Sequence, residues 1–211
     1  MSITIKLLDS NAKISDDINK SIAKQAAIQI QKNQKKVTDS IRALIPKWIK
    51  QQPEISSLLA DGMQGSLNAQ FGLVGGTSSI AVQQIIDAVV ASVSVTVKPL
   101  VTLSKDPVIV FSVQPINFRD LLEIPLGKVT TLKGTILHWL EWLLLLGNST
   151  VIYGYSYKPD RSGRSGGGTM EGGSIFRVPP QFSGTVDDNF VVRALSNRDG
   201  ELQKILQRLF T

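Results

Sequence analysis

The residues best spaced for phosphate chemistry lie at positions 160–180, DRSGRSGGGTMEGGSIFRVPP, directly after a strand-like VIYGYSY. A P-loop needs G-x-x-x-x-G-K-[ST], with lysine on the phosphates and a helix N-terminus behind them. Gly163 and Gly168 keep the glycine spacing, but Thr169 follows at once with no lysine, and residues 175–179 (IFRVP) have extended character. The dinucleotide pattern G-x-G-x-x-G lacks its helix for the same reason. Nucleotide binding is therefore not expected. His138 is the only histidine and sits between Leu137 and Trp139 in ILHWLEWLLLLG, where a packed or interfacial role is expected rather than a place in a nucleophilic triad. One histidine and no cysteine rule out the usual zinc ligand sets and any disulfide, leaving only an all-carboxylate cation site open. The carboxylates pair as Asp16-Asp17 and Asp187-Asp188, both ahead of apolar-periodic segments, where acids suit a helix start. The residue types favour a non-enzymatic protein without cofactor or metal.

Charge points elsewhere. Residues 1–50 hold ten Lys/Arg against four Asp/Glu, while the rest of the chain holds thirteen of each, so the net charge of +6 belongs to the N-terminal segment. A basic segment of this kind faces water, an acidic partner or nucleic acid. It has no aromatic residue before Trp48, which argues against base stacking. The N-terminus shows no apolar leader, and the most hydrophobic run (residues 136–147) is about half the ~20 residues of a spanning helix. A soluble protein with no membrane contact is expected.

The elements that must carry these residues follow from periodicity. Ser15 caps an expected long helix through residue 52, in which Ile18, Ile22, Ala26, Ile30, Val37, Ile41, Leu44 and Trp48 form a narrow apolar stripe opposite a basic face. So narrow a stripe on so long a helix suits packing against a neighbouring subunit. Pro46 kinks its end and Pro53 opens the next turn of helix. Short helices are expected around Leu58 and over 67–71. Another, capped by Thr77 or Ser78, gives way to a strand from Val93. A turn at 105–107 leads to a second strand, and a further helix runs from about Leu132 to a stop at Gly147. Strands at 150–159 and 174–180 flank the glycines, and two short helices close the chain, the second from Asp199. The order predicts an α+β fold, a small mostly antiparallel sheet packed with helices, carrying an extended N-terminal helix and a glycine-rich arm. The expected division is a basic helical extension (1–52), an α+β core (53–195) with the arm at 159–175, and a C-terminal helix (196–211).

In combination, LLADGMQGSLNAQFGL, WLEWLLLLG, the tyrosine-rich strand, SGRSGGG and VPPQFSGTVDDNFVVRAL resemble the neck, tail-completion and minor tail-component proteins of tailed bacteriophages, over roughly residues 54–195. The resemblance implies a structural component of the virion neck, assembled in the host cytoplasm as a ring of six or twelve copies between head connector and tail. Tail terminator, tail-completion protein and head–tail adaptor are equally compatible with it. A nucleic-acid-binding protein using the basic helix is the alternative of another class. Ring contacts join unlike patches of successive copies, and an arm that orders on assembly is one way to make them. The arm residues expected to do so are Arg161, Arg164, Gly166, Gly167, Gly168, Met170, Phe176, Arg177, Pro179 and Pro180. On the basic helix Lys24, Lys32, Lys35, Lys36 and Trp48 are expected to meet a partner, with passing contact to genomic DNA.

Overall fold

Ser10, rather than Ser15, starts the first helix: its hydroxyl accepts from the Lys13 N–H at 3.3 Å and opens α1, Asn11–Lys32. Asp16 thus falls one turn inside, where it pairs with Lys20 instead of facing the helix start. The structure is a computed structural model that describes residues 10–98, 110–115, 118–131 and 134–208. The expected continuous helix is broken at Asn33, whose side-chain amide turns back to Gln29 O, and α2 runs from Gln34 to Lys50. The break separates two unlike environments. Val37, Ile41, Ile45, Trp48 and Ile49 of α2 are buried, whereas only Ile30 is buried on α1.

Helix α2 is consequently a centre of the core and not part of an extension. It packs against α5 (Thr77–Ser92), α8 (Phe190–Leu195), α9 (Asp199–Gln207) and strand β1 (Val93–Lys98). The expected boundary at residue 52 corresponds to no break in packing, because the apolar stripe beyond Asn33 faces its own chain. Nor does α9 stand apart: the Trp48 indole donates to Glu201 at 3.0 Å, and Arg198 lies 5.1 Å above the same ring.

Between these elements run α3 (Pro53–Leu59), which Pro53 opens, and α4 (Leu67–Phe71), capped by Ser66 and closed by left-handed Gly72. Helix α5 begins after Gly76 with no side-chain cap. Thr77 donates instead to Val74 O, and Ser78 is buried against Asn68. Strand β1 pairs antiparallel with β2 (Val110–Pro115), from Val93↔Pro115 to Lys98↔Val110, while the expected turn at 105–107 lies outside the described residues. Then come α6 (Phe118–Leu122) and a two-residue ladder, β3 (Val129–Thr130) with β4 (Ile136–Leu137). Ile136 is thereby drawn out of the helix expected for it. Helix α7 starts at Trp139 and widens into a π-turn, Trp142–Leu146, before Gly147. Trp139, Leu140, Leu143 and Leu144 are all buried, and Trp139 stacks on Phe71 with ring centroids 5.6 Å apart.

Strands β5 (Thr150–Lys158) and β6 (Thr169–Arg177) form the longest ladder. The α+β class holds, with every described strand pair antiparallel. The strands form three separate two-stranded ribbons among the described residues rather than one small sheet. The helices supply the shared core on which the ribbons lean.

Candidate assembly surface

The glycine-rich stretch is built into the domain. Between β5 and β6 the chain folds over α4: Arg164 Nε donates to Gly72 O at 2.9 Å and its Nη1 to Thr130 O at 3.4 Å. Ser165 is buried with its hydroxyl against Ala69 O, and Gly167 and Gly168 are buried beside it. Tyr157 locks the arrangement from the ribbon side. Its hydroxyl accepts from the Gly65 N–H at 2.8 Å and donates to Gly167 O at 2.7 Å. The glycines permit this approach for two reasons. Gly166 and Gly168 have φ of +77° and +154°, which L side chains rarely adopt. A Cβ on Gly167 would lie 2.7 Å from both Ala69 Cβ and Met63 O. The stretch is thus held against its own chain by hydrogen bonds to α4 and its flanks.

Several residues expected on an assembly arm are therefore turned inward. Phe176 and Val178 belong to the core, since β6 extends the ribbon to Arg177 and lays its last apolar residues on the helices. Met170 is half-buried against that core, as is Phe182 beyond the two prolines. Trp48, expected on a basic surface, is 1% exposed. Arg161, Gly166, Arg177 and Pro180 stay exposed and Pro179 half-exposed, and Arg161 pairs with Glu171 across the ribbon. On the outer side of that ribbon Tyr153 is exposed opposite Ile175, beside a bulge at Gly154 (φ +77°) that shifts the register of the strand.

The second surface is α1. Lys24 and Lys32 are exposed there, and Lys35 and Lys36 are exposed at the start of α2. Together with Asn33, Asp39 and Ser40, three of these lysines (Lys32, Lys35 and Lys36) rim a shallow concavity at the helix break. Three isoleucines of α1 are not covered: Ile18 is 53%, Ile22 59% and Ile28 48% exposed, whereas Ile30 near its end is buried. Periodicity alone had already marked Ile18 and Ile22, while Ile28 lies off the expected stripe.

Groups suited to chemistry are dispersed. His138 is exposed at the start of α7 rather than packed between its apolar neighbours. Asp188 pairs with Arg193 at 2.6 Å, and α8 is capped by Asn189, whose side-chain Oδ1 accepts from the Val191 and Val192 N–H groups. Among the described residues no group of three His, Asp or Glu side chains is placed to hold a metal ion. Nor is any helix among them long and apolar enough to cross a membrane. Among the described residues, sequence reasoning missed Glu54, fully buried on α3 and paired with Arg193. A position just after Pro53 gave no sign that α8 would cover it. Comparison with family models, with curated proteins and with solved structures finds no match, so function is argued from these surfaces alone.

Proposed function

We propose that the protein is a non-enzymatic structural component of a tailed-phage neck, a tail-completion or tail-terminator subunit that joins copies of itself into a ring between head and tail. The observation that carries the reading is α1. It is a 22-residue helix, about 33 Å long, on which Ile18, Ile22 and Ile28 stay in water while the helix continuing it is anchored in the core. Ile18 and Ile22 lie one turn apart and form a ridge that a neighbouring subunit can cover. The exposed ribbon face at Tyr153 and Ile175 offers a second, unlike patch, as a head-to-tail ring interface requires.

The test is assembly. Light scattering and negative-stain imaging of the full chain, alone and with heads or tails, should find closed rings of six or twelve copies, or recruitment to particles. Ile18→Asp/Ile22→Asp should abolish both while leaving thermal unfolding within about 0.5 kcal/mol, because both side chains are exposed. A chain that stays monomeric and ignores both particles overturns the reading.

A further inference from the structure

We propose that the outer face of α2, with Lys32 across the helix break, is a docking surface for the sugar–phosphate backbone of duplex nucleic acid. Lys32, Lys35, Lys36, Lys47 and Lys50 are all exposed, and none has an ion-pair partner among the described residues. Elsewhere the structure pairs much of its basic charge: Lys20 with Asp16, Arg119 with Glu123, Arg161 with Glu171, Arg193 with Glu54 and Asp188. Asp39 is the single acid on the face. Arg42, the remaining cation of α2, is turned inward, donating to Val93 O at 2.9 Å.

Geometry selects the occupant. The opposite side of α2 is buried from Val37 to Ile49, so the lysine face cannot rotate away and is presented by a rigid element. The lysines form two clusters, one at 32–36 and one at 47–50, with Ser40 and Ala43 between them. At about 1.5 Å per residue, Lys36 and Lys47 are about 16 Å apart along the axis. A helix laid across a major groove about 12 Å wide would bring one cluster to the phosphates on each rim. No arginine faces outward and no aromatic residue interrupts the face, so the contact reads charge and not base sequence. A lipid surface fits less well: a helix that sinks into a bilayer interface needs large apolar residues between its lysines, and here Ala43 is the largest one exposed. The proposal stands apart from the neck reading, since it uses none of the α1 isoleucines.

The experiment is fluorescence anisotropy of the full chain with a labelled mixed-sequence DNA duplex of about 30 base pairs, between about 50 and 200 mM salt. Five phosphate contacts give a slope of log affinity against log salt near −4.5 at most, and each lysine removed lowers its magnitude by about 0.9. Lys35→Gln/Lys36→Gln/Lys47→Gln should therefore flatten the slope by about 2.7. A control with the same net charge change, Lys128→Gln/Lys158→Gln/Lys204→Gln, should leave it unchanged. Circular dichroism checks that both variants remain folded, and Ile18→Asp/Ile22→Asp should bind as the native chain does. Three results overturn the proposal: no binding at the lowest salt, equal losses in the variant and its control, or tighter binding to polyglutamate or to anionic phospholipid vesicles than to the duplex.

Discussion

Replacing Arg193 by alanine should be among the most damaging single changes available, because of what it leaves behind on α3. Glu54 is 0% exposed; its Oε1 accepts from Arg193 Nη2, and its Oε2 is buried with no hydrogen-bond partner. Burial pushes this carboxyl above its ordinary value of 4.5, while its own backbone N–H and the Arg193 charge pull it back only in part. Removing the guanidinium strands a buried carboxylate, a change worth about 3–5 kcal/mol at neutral pH. In a chain of this size that lowers the melting temperature by about 6–20 °C. Glu54→Gln should cost far less, about 1 kcal/mol, because Arg193 is about a third exposed and keeps Asp188 at 2.6 Å. The pH dependence gives the sharper check. With the folded value raised, the folded chain binds the proton more tightly than the unfolded chain does. The stability Glu54 contributes is then full below 4.5 and is lost as pH rises through the folded value. Without Arg193 that value rises further, so the deficit of Arg193→Ala should be largest at pH 7 to 8 and shrink toward pH 5. Denaturant unfolding across this range measures it, with Arg193→Ala/Glu54→Gln expected to recover most of the loss. A deficit under about 1 kcal/mol, or one that stays constant with pH, refutes the reasoning.

Two further predictions concern the glycine stretch. Tyr157→Phe deletes both bonds that tie Gly65 to Gly167 and leaves the buried Gly167 carbonyl unpaired, so it should cost about 1–2 kcal/mol and raise amide exchange at Gly65. Gly167→Ala should cost about 1–3 kcal/mol in thermal unfolding, because its Cβ has no room. Gly172→Ala, whose Cβ meets nothing within 4 Å, should be nearly neutral.

Local signals made much of the architecture legible. Pro53, Gly147 and Asp199 mark element ends that the structure keeps within a few residues, and the strand expected from Val93 opens as β1 where it should. What stayed hidden depends on partners distant in sequence. Residues 136 and 137 continue the apolar periodicity of the helix behind them, yet they pair with Val129 and Thr130, an interaction no periodicity records. The helix break at Asn33 is likewise invisible, since the stripe passes through it in phase. The change lies in what faces the stripe: solvent at Ile18 and Ile22, the protein interior from Ile30 on. For the candidate surfaces, the lysines, Ile18 and Ile22 could be read from the pattern because exposure there is the default. Trp48 and Phe176 could not, since only the fold decides whether an aromatic at an amphipathic boundary turns in or out.

The glycine stretch shows why composition misleads about order. Six glycines among serines have the makeup of a flexible linker, but flexibility is a property of glycines without contacts. Here Tyr157, Arg164 and Ser165 supply side-chain anchors, and the glycines supply the close approach and positive φ that let those anchors reach α4. The entropy of ordering is thus met within the subunit, by burial of Phe176 and Val178 and by bonds to backbone carbonyls. A surface ordered in advance binds with a smaller entropic cost than one that must fold on contact. If the outer ribbon face at Tyr153 and Ile175 meets a neighbouring copy, it meets it as a rigid edge. The ridge of Ile18 and Ile22 on α1, which stays exposed, is then the unlike patch available to that edge.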